Sequence, residues 1–348
     1  MKAECFQYQL QFKFAAGTSR GVLHEKETWF ISLCDEVNPS VKGWGECALF
    51  RGLSIDDREG YAEKMKEVCD DPVRFTSDSS TLLVEWPSIR FGLETALADL
   101  NQGGQKILYP TSFTRGEDSI RINGLVWMGR KDVMLSGIHQ KLNDGFRCMK
   151  LKIGAIDFKS ELALLKAIRK EFSQDDIEIR VDANGAFLPE EALEKLKWIS
   201  DYQIHSIEQP IRQGQLIEMA ELCRNSPIPI ALDEELIKWQ TNDEKLNILS
   251  TIRPQYIIIK PALVGGLSGS LEWIHLANEL NIHWWITSAL ESNIGLNAIA
   301  QWTYTLKNSL PQGLGTGQLY QNNFTSPLVV TNGSLYYLPE SEWQLIKL

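Results

Sequence analysis

The sequence predicts an α/β protein: a TIM-type (β/α)8 barrel with a smaller α+β domain ahead of it. Three observations lead there. From about Ile120 onward, short apolar runs alternate with amphipathic helical stretches, the pattern of repeated strand–helix units. Five consecutive runs end in a charged residue: Lys150 and Lys152 close FRCMKLKIG, Asp182 closes IEIRVDAN, Glu208 closes IHSIEQP, Asp233 closes PIPIALDE and Lys260 closes QYIIIKP. From Lys152 the steps are 30, 26, 25 and 27 residues. Residues 1–115, in contrast, gather their strands before their helices, as a separate α+β domain does.

Within residues 1–115 the alternating stretch 3–15 reads as a strand, followed by TWFISLCDE and VKGWGECAL. Helical pattern runs from Ile55 to Cys69 and from Ser88 to Asn101, with Ser88 placed as an N-cap. In residues 116–325 the expected strands are SIRINGLV, FRCMKLKIG, IEIRVDAN, IHSIEQP, IPIALDE, YIIIKPA, HWWITSAL and QGLGTGQL. DFKSELALLKAIRKEF, PEEALEKLKWIS and SGSLEWIHLANEL supply helices between them, and Pro189 suits a first helical turn. Eight units fit a closed barrel. An open doubly wound sheet is the alternative, but it would spread the charged strand ends along a line, whereas a barrel brings them around one mouth. The tail, residues 326–348, returns to strand pattern in LVVTNGSLYYL and is expected to join the first domain.

Composition narrows the function. The formal net charge of −10 disfavours nucleic acid and anionic membrane as partners. The amino terminus lacks the apolar core of a signal peptide, and no apolar run is long enough to span a bilayer, so a cytoplasmic protein is expected. The six cysteines form no CxxC pair and read as reduced thiols. The five histidines show no HxH or HExxH spacing, against a histidine-rich hydrolase site. No pattern in the chain sets an oligomeric state.

Charge at strand ends must be paired, neutralised or bound to metal. Asp182, Glu208 and Asp233 are candidate ligands of a hard cation, Mg2+ with Mn2+ as substitute. Singly, each has an ordinary explanation: Asp182 as a turn cap, Glu208 as a partner of Arg212, Asp233 as a helix N-cap. Three such coincidences in consecutive units are harder to accept. Asn184 shares the face of Asp182 and is a candidate substrate contact, while Arg180, one layer deeper, reads as a carboxylate partner. Strand alternation points Glu234 away from Asp233. Lys150 and Lys152 share a face, and their mutual repulsion with partial burial favours a neutral amine, which a general base needs. Lys260, four units on, stands across the barrel from them. Opposed lysines beside a metal suit proton abstraction α to a small-molecule carboxylate, because the enediolate formed needs nearby positive charge.

On KLKIG, VDANGAF, IEQP, LDE and IIKP, the chain resembles the enolase superfamily, in the muconate lactonizing enzyme-like group with lysines on the second and sixth barrel strands. The resemblance covers nearly the whole chain and implies a modified (β/α)8 TIM-type barrel with an α+β capping domain. INGLVWMG, SALESNIGL and GLGTGQLY resemble a menaquinone-pathway dehydratase of that family. This implies a carbon–oxygen lyase acting by syn dehydration on a cyclohexadiene carboxylate with a succinyl arm. Lys152 would take the proton and return it to the departing hydroxyl, Lys260 would stabilise the enediolate, Lys150 would tune Lys152, and Asp182, Glu208 and Asp233 would hold Mg2+. Ser288 matches a position near substrate. Arg20, in the glycine-containing stretch AAGTSRGVL, matches a loop that covers it, and WGECALFRGLS fits a second such loop, with Trp44 and Phe50 as candidate wall residues. The rival within the family is an N-succinylamino acid racemase or dipeptide epimerase using the same lysines. The last-strand segment GLGTG has no acid, unlike the aspartate pair of dipeptide epimerases. A barrel that has lost catalysis and only binds a partner is a further rival, and it is disfavoured because every expected ligand and base is present.

Overall fold

The computed structural model describes residues 1–18, 21–126, 131–154 and 156–344. The amino-terminal strands β1 (Lys2–Thr18), β2 (Gly21–Cys34) and β3 (Lys42–Cys47) form an antiparallel sheet in that order. Four helices follow: α1 (Tyr61–Asp70), α2 (Pro72–Ser77), α3 (Ser79–Leu82) and α4 (Pro87–Asn101). Ile31, Leu33, Leu49, Met65, Phe75, Ile89 and Leu93 make a core of their own between sheet and helices. β3 lies directly on α4: a Cβ on Gly45 would come within 1.9 Å of the Gly92 carbonyl oxygen. Gly43 and Gly45 therefore serve strand–helix packing, not the loop that follows.

Two helix starts differ from expectation. α1 begins at Tyr61 and not near Ile55, because Asp56 and Asp57 turn to other partners: Asp57 pairs with Arg51 at 2.6 Å, and Asp56 reaches α4. Ser88 is not the N-cap of α4. Trp86 holds that position with Pro87 first in the helix, where its missing N–H costs nothing. Buried Asp56 accepts the Ser88 N–H at 2.9 Å and its hydroxyl at 2.6 Å.

The second unit begins with β4 (Ser119–Arg121) and β5 (Gly124–Val126), followed by α5 (Lys131–Asn143), β6 (Cys148–Lys152), α6 (Phe158–Glu171), β7 (Glu178–Asp182) and α7 (Pro189–Ser200). It continues through β8 (Ser206–Glu208), α8 (Leu216–Asn225), β9 (Ile230–Leu232), α9 (Asn242–Ile252), β10 (Tyr256–Ile259), α10 (Gly266–Glu279), β11 (His283–Ile286) and α11 (Asn293–Thr305). Seven parallel strands run in the order β11-β10-β9-β8-β7-β6-β5. The segment QGLGTGQL, expected as an eighth strand, narrows to two bridging residues: Gln312 pairs with Ile122 and Gly313 with Thr287. The Gly313 N–H donates to Ile286 O at 2.8 Å, and the Asn123 N–H donates to Gln312 O at 2.9 Å. These bonds reach from β11 to the start of β5. Glycines at 313, 315 and 317 leave little side chain to hold a longer strand, and a Cβ at Gly313 would strike Thr287 Oγ1 at 2.1 Å.

The hairpin β12 (Leu328–Thr331) and β13 (Ser334–Tyr337) adds to β4 as a separate antiparallel sheet. Past it, Trp343 packs with Phe6, Tyr8 and Trp44 around Phe30 and Phe324. The amino-terminal unit docks at helix starts of the barrel. Glu94 of α4 accepts the backbone N–H of Leu267 at 2.7 Å and of Ser268 at 3.2 Å in α10, supplying acceptors that a helix N-terminus lacks. All six cysteines are free thiols. Among the described residues no helix is long and apolar enough to cross a membrane.

Candidate active site

Register puts the charged strand ends at one level. Lys152 on β6 lies beside Asp182 on β7, which lies beside Glu208 on β8. Asp233 follows β9 directly and Lys260 follows β10. The three acids are 0%, 3% and 2% exposed in chain order. Lys150 Nζ bridges Asp182 Oδ2 at 2.8 Å and Glu208 Oε2 at 2.6 Å. Lys152 Nζ donates to Asp182 Oδ2 at 2.5 Å and to Asn184 Oδ1 at 2.6 Å. Lys260 Nζ is hydrogen-bonded to Asp233 Oδ2.

Asp182 does cap a turn, accepting the Asn184 N–H at 3.0 Å, but the single-residue explanations of the other two acids fail. Glu208 pairs with Lys150 rather than Arg212, and Asp233 makes no side-chain cap bond to the short turn after it. Arg180 does pair with a carboxylate, Glu178, at 2.8 Å. Glu234 was expected to point away, but the chain turns at Asp233 into a single 3-10 turn, so strand alternation no longer holds. Glu234 lines the cavity and accepts a hydrogen bond from Asn184 Nδ2 at 3.0 Å. Gln209 was also missed: its buried Oε1 accepts the N–H groups of Asp233 and Glu235, each at 3.2 Å, and so braces the neighbouring strand end.

Burial would raise the Asp182 pKa, yet Lys150 and Lys152 outweigh it and hold the carboxyl far below its usual range. For Lys150, burial pulls the pKa down, but Asp182, Glu208 and Asp233 overcome it and push the ammonium well up. The expectation that crowding favours a neutral amine does not hold for Lys150, where the attraction of three acids outweighs burial. Lys260 is likewise raised by Asp233, Glu234 and Glu208 against burial. Glu208 is pushed well up by burial and by Asp182, with Lys150 opposing.

Four carboxylates, Asp182, Glu208, Asp233 and Glu234, meet three ammoniums here, and Glu208 Oε1 and Glu234 Oε2 are buried without a hydrogen-bond partner. More buried carboxyls than ammoniums, with free oxygen acceptors and no sulfur or imidazole, fit a hard divalent cation in kind. As the side chains lie, no three acidic or histidine groups among the described residues converge as a metal cluster. Asp182, Glu208 and Asp233 each turn to an ammonium instead.

These groups border a cavity of about 350 Å3. Lys150, Lys152, Lys260, Asn184, Glu208 and Glu234 form its charged side. Phe50 and Leu53, from the loop after β3, wall it with Leu263, Leu290 and Leu319. Trp44, the other wall candidate, packs on Phe6 instead. Ser288 lies on the wall, its hydroxyl 2.7 Å from that of Thr316, a residue the sequence reading had not singled out. Arg20, with Ser19, lies outside the described residues, as do Trp127, Met128 and Gly129 of INGLVWMG.

Comparison with known proteins places the chain. Residues 134–341 match the family described as Enolase C-terminal domain-like. The chain belongs to the enolase superfamily. Within that superfamily it is 48% identical to o-succinylbenzoate synthase of Desulfotalea psychrophila, over 94% of this chain and 96% of that one. The crystal structure of MenC from Desulfotalea psychrophila LSv54 superposes with a TM-score of 0.86 at 44% identity, covering 97% of this chain and 99% of that one. A more distant superfamily relative, N-succinylamino acid racemase of Amycolatopsis, is 24% identical over 88% of this chain and 84% of its own length. The expected fold class, a modified barrel with an α+β capping domain, is that of the superfamily.

Proposed function

We propose that this protein dehydrates 2-succinyl-6-hydroxy-2,4-cyclohexadiene-1-carboxylate to o-succinylbenzoate, a step of menaquinone biosynthesis in the cytoplasm. The observation that carries the reaction class is the pair Lys152 and Lys260, four strands apart in one barrel and facing one cavity beside three buried acids. The near-full-length similarity to a protein named o-succinylbenzoate synthase supports the substrate. In this reading residues 1–115 with tail 326–348 form the cap, and residues 116–325 form the catalytic barrel.

Lys152, as a neutral amine, takes the proton α to the substrate carboxylate. The bonds from its Nζ to Asp182 and Asn184 fix its approach. The electrons of the broken C–H bond pass into the carboxylate as an enediolate. Lys260, kept cationic by Asp233, stabilises that charge as it develops. Lys152 then returns its proton to the leaving hydroxyl on the same face, the C–O bond breaks, water departs and the ring becomes aromatic. Lys150 holds Asp182 and Glu208 in place and keeps Asp182 in the ionised form. Asp182, Glu208 and Asp233 would hold Mg2+, which when bound supplies positive charge to the substrate carboxylate oxygens. Ser288 and Asn184 are the proposed substrate contacts on the wall, and Arg20 is a third proposed contact.

The second reading is N-succinylamino acid racemisation, which opposed lysines also favour, one on each face of the α-carbon. Supplying purified protein with each substrate separates the two. Dehydration is expected to exceed racemisation in kcat/KM by at least about tenfold. Racemisation at equal or greater efficiency would overturn the first reading.

A further inference from the structure

We propose that Glu46 is a positioning residue that sets how the cap closes on the cavity, an inference that rests on the dehydration reading. Glu46 lies on β3 with no solvent exposure. Its carboxylate takes four hydrogen bonds. Oε1 accepts the Thr28 hydroxyl at 2.9 Å and the Ser292 N–H at 3.0 Å. Oε2 accepts the Ser292 hydroxyl at 2.6 Å and the Gly295 N–H at 3.0 Å. Ser292 is the N-cap of α11, and Gly295 lies in its first turn. A carboxylate of the cap thus completes a helix start of the barrel, where orphan N–H groups and the helix dipole both favour an anion. The approach is tight, since a Cβ on Gly295 would come within 2.8 Å of Glu46 Oε2.

This joint sits between two stretches of cavity wall. Forward from Glu46 the chain reaches Phe50 and Leu53; back from Ser292 it reaches Leu290, Ala289 and Ser288. Moving Glu46 against Ser292 would shift the two walls relative to each other. It would leave Lys152 and Lys260 where they are, because strands β6 and β10 hold them. Glu94 offers a contrast. It docks the same cap on α10, yet no residue of α4 lines the cavity. Glu46 therefore acts on substrate binding, and Glu94 on stability alone.

Steady-state kinetics of Glu46→Gln, Glu46→Asp and Glu94→Gln with the cyclohexadiene acid, together with their melting temperatures, test this. Glu46→Gln keeps the side-chain shape but turns an amide donor toward N–H and O–H donors. Its KM is expected to rise about tenfold with kcat within about threefold of wild type. Glu46→Asp restores the charge and is expected to fall between the two. Glu94→Gln is expected to melt lower with KM unchanged. A Glu46→Gln enzyme that melts lower but keeps the wild-type KM overturns the proposal. If Glu46→Gln does not fold, Ser292→Ala carries the test, with KM raised about threefold expected and an unchanged KM overturning it. A wild type that ignores the cyclohexadiene acid counts against the function reading only, and the same KM comparison is then made with the N-succinylamino acid.

Discussion

Lys152 and Lys260 carry unequal tasks on similar side chains, and their partners say why. Lys152 is held by one acid and one amide oxygen, whereas Lys260 faces Asp233 and Glu234 and is pushed toward its charged form despite burial. Lys260→Ala is expected to lose about 10²- to 10³-fold in kcat, the scale of losing one electrostatic donor to an oxyanion, with circular dichroism unchanged. A loss below about threefold would mean that another group supplies that charge. Much of this candidate site was legible in the sequence, because charge at the end of an apolar run has few innocent explanations. Glu234 and Gln209 were not. Glu234 was hidden by a turn that breaks alternation at Asp233, and Gln209 acts through backbone N–H groups of a strand distant in sequence, which no local pattern records.

At the scale of elements, the strand runs from FRCMKLKIG to HWWITSAL were readable because each is apolar, short and bounded by helical periodicity. The segment QGLGTGQL was misleading: its position in the repeat called for a strand, but three glycines at alternate positions leave one face without side chains, and two residues do the joining. The start of α4 was missed for a related reason. Ser88 looks like a cap in sequence, yet the acceptor comes from Asp56, 32 residues away. Asp56→Ala would leave the buried Ser88 N–H and hydroxyl without that acceptor and is expected to cost about 1–3 kcal/mol. Asp56→Asn keeps an acceptor and removes a carboxyl whose burial pushes its pKa up to about 6, with the Ser88 bonds opposing. Urea denaturation at pH 8 should therefore rank Asn above Ala. Equal midpoints for the two variants would show that the Asp56 bonds to Ser88 contribute little.

Across the whole molecule, cap and barrel meet through buried charge as well as apolar surface. Glu291, in the loop between β11 and α11, is fully buried; burial and then the nearby Glu46 push its pKa up to about 7, with Lys26 opposing. Lys26, itself buried, Glu27 beside it and Tyr320 also face this cluster. A carboxyl raised in the folded state stabilises below its unfolded pKa, and that contribution is lost as pH rises through the folded value. Between about pH 4.5 and 7 the loss amounts to about 3 kcal/mol, or several degrees in melting temperature. Glu291→Gln should flatten that slope and melt higher than wild type at pH 8; parallel melting curves for the two proteins would remove Glu291 from the interface balance. The proposed division into two units rests on the change of pattern near residue 115. The joint between them was not legible there, since Glu46 and Ser292 are 246 residues apart and each is unremarkable in its own segment. All of these features serve one claim, that lysines on opposite sides of a barrel, with buried acids between them, turn a cyclohexadiene acid into an aromatic one. The most direct measurement is the ultraviolet spectrum of that acid mixed with wild-type protein and Mg2+, then with Lys152→Ala. A benzenoid band growing with the wild type and abolished by the substitution is the expected result; a band that never forms with the wild type, or that forms as fast with Lys152→Ala, contradicts it.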